Sequence, residues 1–282
     1  RDEHTVTDPA ELDRILAAAV TAGAEWGALP ARERATVLRR AADELERRRG
    51  DLCEVMAAET GKTLDQADPE VSEAVDFARW YAGLAEELEG TDGAVAHPVR
   101  LTAATPPWNF PVSIAAGSVL APLAAGSAVV LKPAPQAARC GSVLAEALWA
   151  AGVPREVLAL VHVAEDGLGK ALVSDARVDR LLLTGSFETA RLFAGFRPGL
   201  HLLAETSGKN AIVVTPSADL DLAVRAGVAS AFGHAGQKCS AASLVILVGS
   251  VGTSRRFHDQ LLDAVTSLRV GVPADPATQM GP

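Results

Sequence analysis

Residues 114–133 read IAAGSVLAPLAAGSAVVLKP, and this stretch points to the fold class. Its apolar part, up to Leu131, is about as long as the shortest membrane-spanning helices. Gly117, Pro122 and Gly126 interrupt it, and alanine makes up much of the rest, so its hydrophobicity is low for a lipid-facing helix. The stretch therefore predicts a buried helix that leads into a buried strand ending beside Lys132.

The chain downstream alternates short β-branched runs with helical patterns. The predicted strands cover 128–132, 159–163, 180–184, 201–205, 210–214 and 244–248, and the predicted helices cover 137–151, 167–174, 220–232 and 254–268. Such alternation is typical of an α/β fold with a mostly parallel sheet covered on both faces.

The first ninety residues show helical rather than strand periodicity. Asp8-Pro9 with Glu11 predicts a capped helix start, and a second amphipathic helix is predicted to have Arg47-Arg48-Arg49 as its basic last turn and Gly50 as its C-cap. A polar break then precedes a short strand-like piece at 99–103.

Charge and cysteine content exclude several function classes. The net charge of −9 argues against a nucleic-acid partner or an anionic membrane surface, both of which attract clustered Lys and Arg. Three cysteines do not form a disulfide framework, and no ligand spacing predicts a metal site. We expect a reducing, cytoplasmic setting.

Cys239 is the candidate nucleophile. It lies between small and polar residues in Gly236-Gln-Lys-Cys-Ser240, where Lys238 could favour the reactive thiolate. The alternative is an inert packing cysteine, which is how we interpret Cys53 and Cys140.

Glu205 is the candidate general base. It closes the apolar run that begins at His201, and ligands meet open α/β sheets at such strand ends. The alternative is a solvated loop carboxylate paired with Lys209.

Asn109 is the candidate oxyanion donor. It lies in Thr105-Pro-Pro-Trp-Asn-Phe-Pro111, where prolines and aromatic residues could hold its amide rigidly. A purely structural turn would explain the prolines equally well.

Two further strand ends suit a nucleotide. Lys132 ends one strand, where it could meet a phosphate or ribose, and Gly185-Ser186 ends another with small residues that permit close approach. The usual Gly-x-Gly-x-x-Gly fingerprint is missing, since Gly167-Leu-Gly169 lacks the third glycine.

Taken in order, these segments resemble the aldehyde dehydrogenase superfamily over nearly the whole chain. The resemblance implies a Rossmann-like cofactor domain, a thioester mechanism at Cys239 and a water-activating role for Glu205. It implies that the Asn109 amide and the Cys239 backbone N–H hold the oxyanion. It also implies NAD as cofactor, with NADP not excluded; the implied cofactor contacts are Lys132, Pro107, Trp108, Gly169, Gly185, Ser186 and Thr206.

The segments 204–210 and 230–241 resemble the L-glutamate γ-semialdehyde (Δ1-pyrroline-5-carboxylate) dehydrogenases of proline catabolism, some of which are fused to a proline dehydrogenase. This resemblance implies that Ser240 binds the substrate α-carboxylate, and that the full-length protein is a homo-oligomer acting on a small aldehyde. The alternatives are a dehydrogenase of another semialdehyde, such as succinate semialdehyde, or an inactive fragment of such an enzyme that folds poorly or acts only as a binding module.

One departure from the family pattern affects the cofactor. Lys132-Pro-Ala-Pro135 lacks the glutamate that binds the ribose hydroxyls in many members of the family. The sequence therefore does not indicate whether the cofactor is NAD or NADP. We expect a cofactor domain over 1–207, with a bridging strand segment near 94–105, and a truncated α/β catalytic domain over 208–282.

Overall fold

The computed structural model describes residues 5–164 and 167–282, which form two compact units. Unit 1 comprises the described residues up to Thr60 together with Ala67–Thr206, and unit 2 comprises Gly61–Gln66 and Ser207–Pro282. None of the helices in these described ranges is long and apolar enough to cross a membrane.

The elements follow the predicted alternation. The helices are α1 (Pro9–Ala28), α2 (Ala31–Arg47), α3 (Arg49–Thr60), α4 (Leu64–Glu89), α5 (Ser113–Ala124), α6 (Ala138–Ala150), α7 (Gly167–Ser174), α8 (Phe187–Phe196), α9 (Leu220–Phe232) and α10 (Arg255–Thr266). The strands are β1 (Thr5–Val6), β2 (Leu101–Thr105), β3 (Ala128–Leu131), β4 (Leu158–Leu160), β5 (His162–Val163), β6 (Arg180–Gly185), β7 (Leu202–Thr206), β8 (Asn210–Val214) and β9 (Ala242–Leu247).

Unit 1 is built on a parallel five-stranded sheet in the order β4-β3-β2-β6-β7. From β2 the chain builds β3 and β4 to one edge and then returns to build β6 and β7 on the other side, which is the Rossmann strand order without its sixth strand. The predicted α/β fold with a parallel sheet is thereby confirmed.

Both faces of this sheet are buried because successive side chains of a strand point to opposite sides. In β3, Val129 and Leu131 join the core formed with α2 to α6, whereas Ala128 and Val130 join the core formed with α1, α7 and α8. The apolar stretch that begins at residue 114 thus becomes α5 and β3, as predicted.

Unit 2 contains a smaller parallel pair, β8 and β9, packed against α9 and α10. Its core includes Val214, Val224, Val251 and Phe257. Asp219 caps α9 by accepting from the backbone N–H groups of Asp221 and Leu222, both at 3.0 Å.

The structure corrects the interpretation of residues 94–105 as a bridging segment. Residues 94–100 contain no regular element, and Leu101–Thr105 is the central strand of the sheet. Every residue of this strand is buried, because β3 and β6 flank it and helices cover both faces.

Three local predictions also differ from the structure. Gly50 lies inside α3 instead of capping α2, since Arg48 is the cap and α3 starts at once. The predicted strand 159–163 is split into β4 and β5. The Val161 N–H donates to the Leu131 carbonyl of β3, and the next two residues form β5, which pairs with β1 instead of the main sheet. Helix α8 has no counterpart among the predicted elements.

Candidate active site

The candidate residues of unit 1 gather at one edge of its sheet. In a parallel sheet all carboxyl ends lie on the same side, and neighbouring strands are about 4.8 Å apart. Lys132 follows β3, the Asn109 loop follows β2, Ser186 follows β6, and Glu205 lies near the end of β7. The reversal of strand order falls between β2 and β6, the place where open α/β sheets bind ligands.

The loop that carries Asn109 is fixed at both ends. At its start, the Thr105 hydroxyl donates to the Leu182 carbonyl at 3.0 Å. At its end, one carboxylate oxygen of Glu70 accepts from the backbone N–H groups of Val112 at 2.7 Å and Ser113 at 3.0 Å. Asn109 is half-buried, so the loop presents its amide from a braced backbone.

Sequence reasoning missed Glu70 as the group that accepts the first N–H groups of α5. Helix α5 begins without a side-chain cap, because Val112 occupies the cap position. A helix start needs acceptors for its first N–H groups, and a buried carboxylate supplies them here.

The two neighbours of Asn109 differ in exposure. Pro107 is half-buried, whereas Trp108 is 37% exposed and forms part of the surface at this edge. A nucleotide ring could therefore reach Trp108 without a change of the backbone.

Lys132 is held directly after β3. Its backbone N–H donates to the Ala104 carbonyl at 2.9 Å, which continues the ladder by one residue. The side chain is only 9% exposed, so this cation is placed close to the sheet edge and does not extend into solvent.

Gly185 and Ser186 lead into α8. The Ser186 hydroxyl accepts from the Thr189 backbone N–H at 3.0 Å and caps the helix. A Cβ added at Gly185 would meet a single atom within 4 Å, the Leu183 Cδ1 at 3.5 Å, so a ligand can approach this backbone closely. Helix N-termini favour phosphate groups, a feature that went unnoticed because α8 was not predicted.

Glu205 and Thr206 lie on the outermost strand of this sheet. They pair with Thr184 and Gly185 across the ladder, and the Glu205 side chain is exposed. The carboxylate is thus accessible to water, as a general base requires.

Gly169 occupies the first turn of α7, which begins at Gly167 as predicted. It is buried, and an added Cβ would lie 3.0 Å from the Ala164 carbonyl oxygen. Tight packing explains this glycine without a ligand.

Unit 2 carries Cys239 and Ser240, both exposed, in a tight turn between α9 and β9. The turn is closed by the Ala241 backbone N–H, which donates to the Lys238 carbonyl at 3.0 Å. Asn210 of β8 also binds this turn through its side-chain amide.

The other cysteines differ from Cys239 in exposure. Cys140 is fully buried in the core of unit 1, and Cys53 is partly buried. Burial raises the pKa of the Cys53 thiol, with Asp68 acting in the same direction, so this group stays protonated and unreactive.

Comparison with known proteins gives a consistent result. The model of the aldehyde dehydrogenase family matches residues 3–282. The bifunctional protein PutA of Salmonella typhimurium is 37% identical over 281 residues, which is 96% of this chain and 21% of that protein. The 1-pyrroline-5-carboxylate dehydrogenase of a Geobacillus strain is 36% identical over 281 residues, covering 91% of this chain and 53% of the relative.

Solved structures agree. Proline utilization A from Corynebacterium freiburgense is 50% identical with a TM-score of 0.93, over 100% of this chain and 28% of that one. The chain thus spans about half the length of the single-function relative and about a fifth of the bifunctional one. It belongs to the aldehyde dehydrogenase family.

Proposed function

We propose that this protein oxidises L-glutamate γ-semialdehyde to L-glutamate with NAD(P), the aldehyde step of proline catabolism. The observation that carries the proposal is the similarity along nearly the whole chain to proteins named PutA and 1-pyrroline-5-carboxylate dehydrogenase. Asn109, Glu205 and Cys239 all occur in this similar region.

The carboxyl edge of the unit 1 sheet fits a dinucleotide. It offers the Lys132 cation for a ribose or phosphate, an open backbone at Gly185 and the N-terminus of α8 for the diphosphate. NAD(P), when bound, accepts the hydride released by the substrate carbon. The segment after Lys132 has Pro133-Ala134-Pro135 and no acid, so we propose the nucleotide class and not one member of it.

In the proposed reaction, the Cys239 thiolate attacks the aldehyde carbon and forms a C–S bond. The Asn109 amide and the Cys239 backbone N–H donate to the resulting oxyanion. Loss of hydride leaves a thioester. Glu205 takes a proton from water, whose oxygen attacks the thioester carbon, and the carboxylic acid leaves as the thiolate reforms.

The proposal assigns substrate recognition to Ser240. Ser240 directly follows the nucleophile in the chain and is exposed, which supports the proposal that its hydroxyl binds the substrate α-carboxylate. A preference for the amino acid semialdehyde over succinate semialdehyde, measured as kcat/KM, is the expected consequence. The names of the relatives favour the former.

The test uses the complete protein, with nucleotide reduction followed by absorbance. Cys239→Ala should abolish aldehyde oxidation, whereas Cys53→Ala, the matched control, should retain it. Equal activity in Cys239→Ala and wild type would contradict the proposal. Homo-oligomerisation and a cytoplasmic location stay predictions, which light scattering and cell fractionation test.

A further inference from the structure

We propose that Asn210 is a positioning residue for the nucleophile turn, defined as Lys238–Ala241. Its side-chain Nδ2 lies 2.7 Å from the Cys239 carbonyl oxygen and 3.3 Å from the Ala241 carbonyl oxygen. The proposal rests on the proposed function, because it assigns Asn210 a role in presenting the Cys239 thiolate.

The chemistry of the contact requires an amide. Both partners are carbonyl oxygens, which only accept, so the group that faces them must donate twice. The NH2 of an asparagine does so, whereas a carboxylate of the same shape cannot. The asparagine at residue 210 suits these contacts, and an aspartate would not.

The position of Asn210 in the sheet makes the contact possible. Asn210 is the first residue of β8 and pairs with Ala242, the first residue of β9. The register slips between Asn210 and Ala211, an irregularity of the kind that redirects side chains. The nucleophile turn directly precedes β9, so the amide lies beside it.

The backbone before the turn departs from α-helical geometry. His234, Ala235 and Gly236 have φ values of 53°, 54° and 71°, so the chain leaves α9 through a left-handed run. Within the turn, the Lys238–Ala241 bond closes the loop, and Asn210 fixes the peptide planes that follow Cys239 and Ala241. Together these bonds restrict the direction of the Cys239 side chain and its N–H.

Loss of that restriction should affect the chemical step more than binding, since misplacing a reacting group by about 1 Å can lower the rate about 100-fold. In the complete protein, Asn210→Ala and Asn210→Asp should lower kcat about 10- to 100-fold. KM for the nucleotide should stay within about two-fold, and Asn210→Gln, which keeps the donors, should recover part of the rate.

Gln260→Glu is the matched control. It makes the same amide-to-carboxylate change in unit 2, at a contact of 2.8 Å with Asp221 near the other end of α9. Helix α9 has 13 residues and is therefore about 20 Å long, which places this change far from the nucleophile turn. The control should keep wild-type kcat.

Hydrogen–deuterium exchange tests the positioning without substrate or nucleotide. In Asn210→Ala, amide exchange should quicken about ten-fold or more in a peptide spanning 237–242 and stay unchanged in α9 and α10. Unchanged exchange at 237–242 overturns the proposal, and so does faster exchange with wild-type kcat. If wild type does not oxidise the aldehyde, the proposed function fails while the exchange result still decides whether Asn210 holds the turn.

Discussion

Glu70, on α4, accepts a hydrogen bond of 2.7 Å from the backbone N–H of Val112, immediately before α5. The same oxygen receives the Ser113 N–H, so one buried carboxylate stands in for the missing cap. Replacing Glu70 by Ala should lower the free energy of unfolding by about 1–3 kcal/mol, because buried N–H groups lose their acceptor. Urea unfolding of the complete protein measures this.

Glu73→Ala provides the control for Glu70, since Glu73 is exposed on the same helix. Its unfolding free energy should lie within about 0.5 kcal/mol of wild type. A Glu70→Ala protein as stable as Glu73→Ala would show that the cap contributes nothing.

Asp179 should make unit 1 sensitive to acid. Burial raises the pKa of the Asp179 carboxyl. Hydrogen bonds from the Arg100 guanidinium and from the backbone N–H groups of Leu101 and Arg100 lower it by more, so the pKa lies below its ordinary value. A lowered folded-state pKa contributes stability above the unfolded pKa of about 4, and that stability is lost as pH falls through the folded value.

We therefore expect Asp179→Asn to be less stable than wild type at pH 7 and to lose less stability on acidification below about pH 4. Asp76→Asn, an exposed change on α4, should follow the wild-type pH dependence. Parallel curves for Asp179→Asn and wild type would contradict the assignment.

Asn109 should affect catalysis and leave nucleotide binding intact. If its amide stabilises the oxyanion, Asn109→Ala should lower kcat about 100- to 1,000-fold. Calorimetry should find nucleotide affinity within about three-fold of wild type, because the proposed contact is with the substrate oxygen. A purely structural role would instead lower the melting temperature and the affinity together.

Lys132 should show the opposite pattern. Lys132→Met keeps the apolar stem and removes the cation, so nucleotide affinity should fall about ten-fold or more. Lys170→Met is the matched control, since Lys170 is an exposed lysine of α7 whose amine lies 5.3 Å from the Phe196 ring. Equal nucleotide affinity in both variants would exclude Lys132 from the cofactor site.

Gly236 should tolerate no side chain. Its φ of 71° disfavours other residues, and an added Cβ would lie 2.9 Å from the Ala231 carbonyl oxygen. Gly236→Ala should cost about 1–3 kcal/mol of stability. Gly233→Ala is the matched control, because Gly233 has a φ of −55° and nothing within 4 Å of an added Cβ. Similar melting temperatures for the two variants would contradict this expectation.

The sequence predicted the elements whose patterns are local. The apolar runs that became β3, β6 and β8 were identified, as was the cap at Asp8, which accepts from the Ala10 N–H at 2.9 Å. Helix α8 was missed although Ser186 and Thr189 have the spacing of a cap, because Ser186 was interpreted only as a ligand contact.

The side chains that brace the candidate site were not predictable in this way. Glu70 acts on a backbone 42 residues away and Asn210 on one 29 residues away, and no periodicity links such positions. Their partners are backbone N–H and C=O groups, which do not depend on the residue type and so give no pattern in the sequence. Only the folded chain shows the pairing.

The opposite ends of the unit 1 strands provide two optical reporters. Trp149, at the end of α6, donates from Nε1 to the Leu158 carbonyl at 2.9 Å, and the Arg155 guanidinium lies 3.8 Å from the centre of its ring. Leu158 begins β4, so this indole lies at the amino rim of the sheet, whereas Trp108 lies at the carboxyl rim. With Trp26 and Trp80 replaced, quenching of Trp108 would register the proposed nucleotide at the carboxyl rim, while a change in Trp149 emission would report on unfolding of unit 1.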